Sequence, residues 1–268
     1  MEFSCQEIMP GVRQIGDGQG NFCTLLTGSH SAVLFDTMTG LGDLQGFISD
    51  LCPAEPVVIV SHGHFDHVGG ARQFDTVYMS EADLPLLDVG RSQIPILERT
   101  LGRELSEMAD SFCPQRYRPL CPGTVLDLGG MTVEAVDLSG HTAGSIGLLC
   151  RELRLLLAGD ALSPQMCILF PESLPLEHYA QQLDRAMELP FDHFLSAHFD
   201  FRFPKSVIEN FRRCIPLVGR KRGMEYEFGP LPHIKGSLYV GELQNRETGQ
   251  LICLIVKPDT PPLRTDGG

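Results

Sequence analysis

Short apolar runs alternate along this chain with longer stretches at helical spacing. Near the N-terminus, "NFCTLLTG" and "SAVLFDT" flank Gly28-Ser29-His30, which predicts a β-hairpin. In "LGDLQGFISDLC" the positions Leu41, Leu44, Phe47, Ile48 and Leu51 share one helical face, and Pro53 and Pro56 end the helix. "PVVIVS" is a continuous apolar run, the pattern of a strand buried on both faces. "VGGARQF" predicts a following helix and "TVYMS" a further strand.

Residues 81–118 have helical spacing interrupted at Gly90, Pro95 and Gly102, and read as a helical insertion between two sheet regions. "GTVLDLGG" with "MTVEAVDLSG", and "SIGLLC" with "LRLLLAGDA", predict two more hairpins. "LEHYAQQLDRAMEL" is an amphipathic helix, "DHFLSAHFDF" repeats the strand texture of the "VVIVSHGHFDH" region, and "PKSVIENFRRC" supplies another helix. Beyond Gly223, "GSLYVGEL" and "QLICLIVK" predict a hairpin, and "PDTPPLRTDGG" a disordered tail. The expected organisation is an α/β domain over 1–223 with its insertion at 81–118. Residues 224–268 follow as a C-terminal β-hairpin extension and tail packed on the same domain.

Composition narrows the function classes. A content of 43% hydrophobic and 21% charged residues allows a sizeable core. A net charge of -13 repels phosphate backbones and anionic lipid surfaces, so neither nucleic acid nor a membrane is the expected partner. The nine cysteines are scattered with no two-residue pairing, which fits reduced thiols and a cytoplasmic setting better than a disulfide framework. Neither a leader pattern nor a long apolar run is recognisable, and a small-molecule substrate is expected.

The candidate chemistry lies at the end of the "PVVIVS" run. In "SHGHFDH", His62, His64, Asp66 and His67 fall within six positions. Residues i and i+2 of an extended segment project to one side, so His62 and His64 can grip one ion while a turn presents Asp66 and His67 beside it. Imidazole and carboxylate together suit zinc, and also iron or manganese. Packing alone has no use for four such residues at the end of a buried strand. His30, His178, His193 and His233 stand outside such blocks and read as turn or surface residues. The short basic run "GRKRG" reads as a solvated helix end.

"HGHFDH", "SGHTAGS", "LLAGDAL" and "LSAHFD" occur in that order, and together they resemble the metallo-β-lactamase superfamily over residues 10 to 215. The resemblance implies a four-layer αββα sandwich with metals at one edge of the sheets. It also implies two divalent transition-metal ions, zinc first and iron or manganese as alternatives. His62, His64 and His141 would hold one, Asp66, His67 and His198 the other, and Asp160 would bridge them. Two adjacent cations lower the pKa of a shared water to about 7 and polarise the scissile oxygen, with Asp66 orienting the nucleophile. Asp36 matches the family's second-layer Asp, although Met38 replaces the Gly of that motif. Phe199 and Phe201, next to His198, are candidates for a substrate pocket.

The complete ligand set argues against true β-lactamases, which lack the bridging carboxylate, and against flavo-diiron proteins, which carry Glu at the position of His64. The expectation is a metal-dependent hydrolase of a small ester, thioester or lactone. A small-molecule phosphodiesterase, or an oxidoreductase similar to the mononuclear-iron persulfide dioxygenases, is the alternative. Ser163 stands where acyl-homoserine lactonases of the superfamily carry Tyr, which disfavours that substrate. Segment 236–257 does not resemble the basic helical glutathione domain of glyoxalase-type thioesterases. The insertion and the helix beginning near Leu176 are expected to overhang the metals.

Overall fold

In the computed structural model, which describes residues 2–229, 233–242, 245 and 249–263, the apolar runs become three sheets. The first contains β1 (Ser4–Met9), β2 (Val12–Gly16), β3 (Phe22–Thr27), β4 (Ala32–Phe35), β5 (Val57–Ile59), β6 (Val77–Met79) and β7 (Tyr117–Pro119), adjacent in sequence order. Its first three pairings are antiparallel and its last three parallel. The crossovers between the parallel strands carry α1 (Leu44–Leu51), α2 (Phe65–Val68) and α3 (Leu86–Leu101).

The second sheet takes β8 (Val125–Asp127), β9 (Thr132–Asp137), β10 (Ile146–Cys150) and β11 (Leu155–Gly159). After β12 (Gln165–Ile168) and α4 (Leu176–Glu188), the chain returns to it with β13 (His193–Ser196) and β14 (Phe203–Pro204), and then forms α5 (Val207–Cys214). Strands β15 (Met224–Glu227), β16 (Lys235–Glu242) and β17 (Ile252–Val256) join β12 in the third sheet.

Three buried clusters give the layers. One lies between the first sheet and its helices, around Leu34, Val58 and Phe112. The second joins the two large sheets through Val33, Ile59, Leu148 and Leu157. The third lies between the second sheet and α4 and α5, around Tyr179, Phe194 and Phe211. Helix, sheet, sheet and helix therefore stack in the order αββα, each sheet burying one face on its neighbour and the other under helices.

Several elements differ from their sequence-based expectations. The helix predicted over "VGGARQF" begins earlier, at Phe65, and Ala71–Gln73 is a single 3-10 turn. A Cβ on Gly69 or Gly70 would meet the carbonyl oxygens of Thr39 and Thr37 at 2.3 and 2.4 Å, so these glycines mark a close backbone approach. Within the insertion α3 runs unbroken through Gly90 and Pro95. Gly90 lies where a Cβ would meet the Phe112 ring at 2.3 Å, which makes it a packing position and not a helix stop. Pro95 faces solvent and forfeits one backbone bond, a loss that the apolar face of α3 on the core offsets. The insertion ends in β7, an edge strand of the first sheet.

At the C-terminus the expected hairpin is β16 paired with β17, and residues 243–244 and 246–248 of its connection lie outside the described residues. The sequence pattern missed β15, and it missed the parallel pairing of β17 with β12, Gln165 opposite Cys253. Of the tail expected to be disordered, residues 258–263 have a defined course: Pro262 lies against Gly219, and Leu263 packs on the third cluster. Residues 264–268 lie outside the described ones.

Candidate metal centre

Strand direction brings the polar residues of the four motif blocks to one edge. Strands β11 and β13 are parallel, and β9 shares their direction because both β9 and β11 are antiparallel to β10. The residues that follow β9, β11 and β13 therefore emerge together: His141, Asp160 and His198. The facing sheet contributes the residues just after β5. There His64 occupies the N-cap position of α2, and Asp66 and His67 lie in its first turn. Strand β4, parallel to β5, ends beside it at Asp36.

Three groups of ligand atoms each fall within 4.8 Å: His62, His64 and His141; Asp66, His67 and His198; and His62, His67 and Asp160. Asp160 Oδ2 stands 3.7 Å from His141 Nε2, 3.6 Å from His67 Nε2 and 3.1 Å from His198 Nε2. One carboxylate thus reaches both triads.

The outer nitrogen of each imidazole has a partner. His67 Nδ1 donates to Asp36 Oδ2 at 3.0 Å, and His62 Nδ1 donates to Ser61 Oγ at 2.9 Å, whose own hydroxyl donates to Asp36 Oδ2. His64 Nε2 donates to Glu172 Oε1 at 2.6 Å, His141 Nδ1 to the Cys167 carbonyl at 2.7 Å, and His198 Nδ1 to the Gly20 carbonyl at 3.1 Å. These partners fix the ring orientations so that the second nitrogen of each of the five imidazoles turns inward. His64 Nδ1 faces both His62 Nε2 and His141 Nε2 at 3.0 Å. His67 Nε2 and Asp160 Oδ1 are buried and find no hydrogen-bond partner among the described residues. Converging ring nitrogens, a carboxylate and buried unpartnered donor atoms fit divalent cations, and these residues could hold them.

Electrostatics follow the same division. Burial holds His62 well below the ordinary histidine value and takes His141 down to about 4. At His67 burial is outweighed by the charges of Asp36, Asp160 and Asp66, which hold it well above that value. At His198 burial is likewise outweighed, chiefly by Asp160, and the pKa rises to about 9. Burial would raise Asp160, but the two imidazoles beside it hold it well below the carboxylate range. A cation binding here would displace the extra protons.

Asp36 occupies the expected second layer, at φ +70°, with Oδ1 accepting from the Ser61 N–H at 2.7 Å. Met38, which stands where the resemblance expects Gly, adopts φ +54°, a left-handed conformation that favours glycine. The sequence reading missed Glu172, Ser61 and Asp83. Asp83 is buried and accepts from Gly63 N–H, Gly144 N–H and the Thr142 hydroxyl at 2.7 to 2.9 Å, tying together the two loops that carry His64 and His141. No local pattern marks Glu172 or Asp83.

A cavity of about 380 Å³ opens over the ligands, lined among others by His64, Asp66, Asp160, Phe199, Tyr226 and Phe228. Ser163 is also on its wall. Phe201, expected beside Phe199, is not brought to this cavity: its ring lies 4.8 Å from that of Phe203 and packs on the core of the second sheet. Helix α4 does not overhang the ligands either. Its Tyr179 and Leu183 are buried against the second sheet, and the third sheet takes the expected place at the rim. Helix α3 lines an adjoining cavity, as expected of the insertion.

Residues 16–198 match the family described as the metallo-beta-lactamase superfamily. The chain belongs to this superfamily. It is 27% identical to the acyl-coenzyme A thioesterase MBLAC2 of Gallus gallus, over 62% of this chain and 66% of that protein, just under two thirds of the relative's length. It is 32% identical to the hydroxyacylglutathione hydrolase GloC of Haemophilus influenzae, over 40% of this chain and 49% of that one. Among solved structures, the metallo-beta-lactamase family protein TTHA1429 of Thermus thermophilus shares the fold, with a TM-score of 0.57 at 20% identity, covering 76% of this chain and 78% of that one. Among the described residues, no helix is long and apolar enough to cross a membrane.

Proposed function

We propose that this chain is a dinuclear metal-dependent hydrolase acting on a small acyl thioester, with esters and lactones as chemically related substrates. The observation that carries this reading is Asp160 Oδ2 lying within 4 Å of histidines from both triads at the floor of a cavity. A bridging carboxylate suits a pair of cations, and the two named relatives are thioester hydrolases. His62, His64 and His141 would hold one ion, Asp66, His67 and His198 the other, and zinc suits this donor set first. Such ions supply acidification of water and polarisation of a carbonyl oxygen.

The chain's own groups do the rest. Asp36, Ser61 and Glu172 lock the imidazoles in place. Asp66, its side chain 36% exposed to the cavity, is the most open carboxylate of the set and can carry a proton on a free oxygen. Water adds to the acyl carbon, the carbon–sulfur bond breaks, and the proton given up by the water ends on the departing thiolate, leaving a carboxylic acid and a thiol. Phe199 and Tyr226 wall the space where the scissile group would lie.

The test is metal analysis together with a substrate panel. Protein purified without chelator is expected to carry two metal ions per chain, about the number that seven ligands can accommodate. It should then cleave acyl thioesters in preference to bis-aryl phosphodiesters. One iron per chain under metal-replete conditions would favour dioxygenase chemistry and sink this reading, and preferential phosphodiester cleavage would overturn the acyl assignment.

A further inference from the structure

Helix α3 has two apolar stripes. Leu87 and Ile94, two turns apart, are buried in the core of the first sheet. Leu86, Val89 and Ile96 lie around the helix from them, outside that core, and Val89 is 44% exposed. Helices of globular domains ordinarily bury one apolar stripe and leave the remainder polar. A second stripe that folding leaves half-buried, with Val89 exposed, is a candidate for ligand contact.

This stripe forms one wall of a cavity of about 500 Å³. Leu169, Phe170 and Phe228 form the opposite wall. The size is that of a small-molecule site, and the walls are chiefly apolar. It meets the cavity over the metal ligands at shared residues, His64, Asp66, Phe170 and Phe228. The Phe170 ring is 5.0 Å from His64 and 5.4 Å from His141, so the apolar channel begins at the candidate ligands themselves.

From this geometry we infer that the α3 cavity is the acyl-chain subsite, selecting thioesters of medium and long straight-chain acids. The inference rests on the thioester-hydrolase reading and names its substrate class. The acyl side is assigned because a carbonyl placed over His64 and Asp66 can continue directly between Val89 and Phe170. The thiol portion of biological thioesters is polar and charged, and the faces of Leu86, Val89, Ile96, Leu169, Phe170 and Phe228 offer it little; of the charged residues that also line the cavity, Lys235 is paired with Glu227 at 3.0 Å and Glu172 with His64 at 2.6 Å. Hydrolysis there adds water across the carbon–sulfur bond, releasing the fatty acid and the free thiol.

The experiment uses the full chain loaded with zinc and the N-acetylcysteamine thioesters of straight-chain acids from acetyl to palmitoyl. The expected kcat/KM rises by about 10-fold or more from butyryl to decanoyl, since each buried methylene contributes up to about fourfold. Val89→Trp, which fills the channel, should lower the decanoyl-to-acetyl ratio of kcat/KM by about 10-fold, with Ile96→Trp as a second variant should the first not fold. The S-decyl thioether of the same thiol, which cannot be hydrolysed, should bind metal-free wild type and bind Val89→Trp about 10-fold more weakly. A flat chain-length profile with measurable turnover would falsify the acyl subsite and leave thioester hydrolysis intact. Absence of turnover throughout the series overturns the hydrolase reading, and the thioether titration then still decides the subsite. A length preference that follows the thiol and not the acyl group overturns the assigned orientation.

Discussion

The ligand cluster and the wall above it are built on opposite principles. Every imidazole of the cluster is gripped twice, facing its neighbours inward and a fixed partner outward, on the ends of strands buried from both sides. The wall of α3 and the third sheet exposes half-bare apolar side chains with no directional bonds between them. Rigid polar geometry suits the positioning of metals, for which small errors are costly, whereas an apolar surface can accept a family of related shapes. The difference teaches where mutation should hurt: chemistry depends on the cluster, selectivity on the wall.

The sharpest break is Asp160→Ala. It removes the one carboxylate among the described residues that lies near histidines of both triads, so turnover should fall by about 10³-fold or more and metal content should drop, measured by thioester hydrolysis and elemental analysis. A variant that turns over like wild type would remove the bridging role. Next comes Asp36→Asn, which keeps the shape but not the charge that holds His67 and Ser61. Competition with a chelator should show metal affinity down by about 10- to 100-fold. Glu172→Gln, changing the partner of His64 at the open edge of the cluster, should cost about 10-fold in the same titration. Affinity unchanged in either variant would mean that the imidazoles are held by packing alone.

The metal-free protein offers a smaller, pH-dependent effect. His198, raised to about 9 against an ordinary 6.5, contributes stability that is complete below 6.5 and lost as pH climbs through 9, and His67 acts in the same direction. His141, lowered to about 4, stays neutral in the folded chain while the unfolded chain takes up a proton, so stability also falls from pH 6.5 towards 4. Thermal unfolding without metal should therefore peak near pH 6.5, and a midpoint that climbs steadily to pH 9 would contradict these shifts. The smallest effect belongs to the solvent face of α3. Pro95→Ala in α3 should raise Tm by about 2–4 °C, because the helix regains a backbone bond, with metal content unchanged.

The sequence by itself determined the cluster and most of the two large sheets. Four ionisable residues at the end of an apolar run cannot be explained by packing, and the period-2 and helical patterns around them are local properties of the chain. Hence His62, His64, Asp66, His67, His141, Asp160 and His198 were all legible, and so was Asp36. Tertiary structure alone decided Glu172, which meets His64 from far along the chain, and Asp83, which ties two loops by accepting three hydrogen bonds. It also separated Phe199, at the cavity, from Phe201, in the core, although both belong to one aromatic run. Pairing of β12 with β17 and the second stripe of α3 were equally invisible. Leu, Val and Phe carry no chemical mark of their destination: whether such a side chain fills a core or lines a cavity depends on what distant segment arrives opposite it, and only the folded chain specifies that.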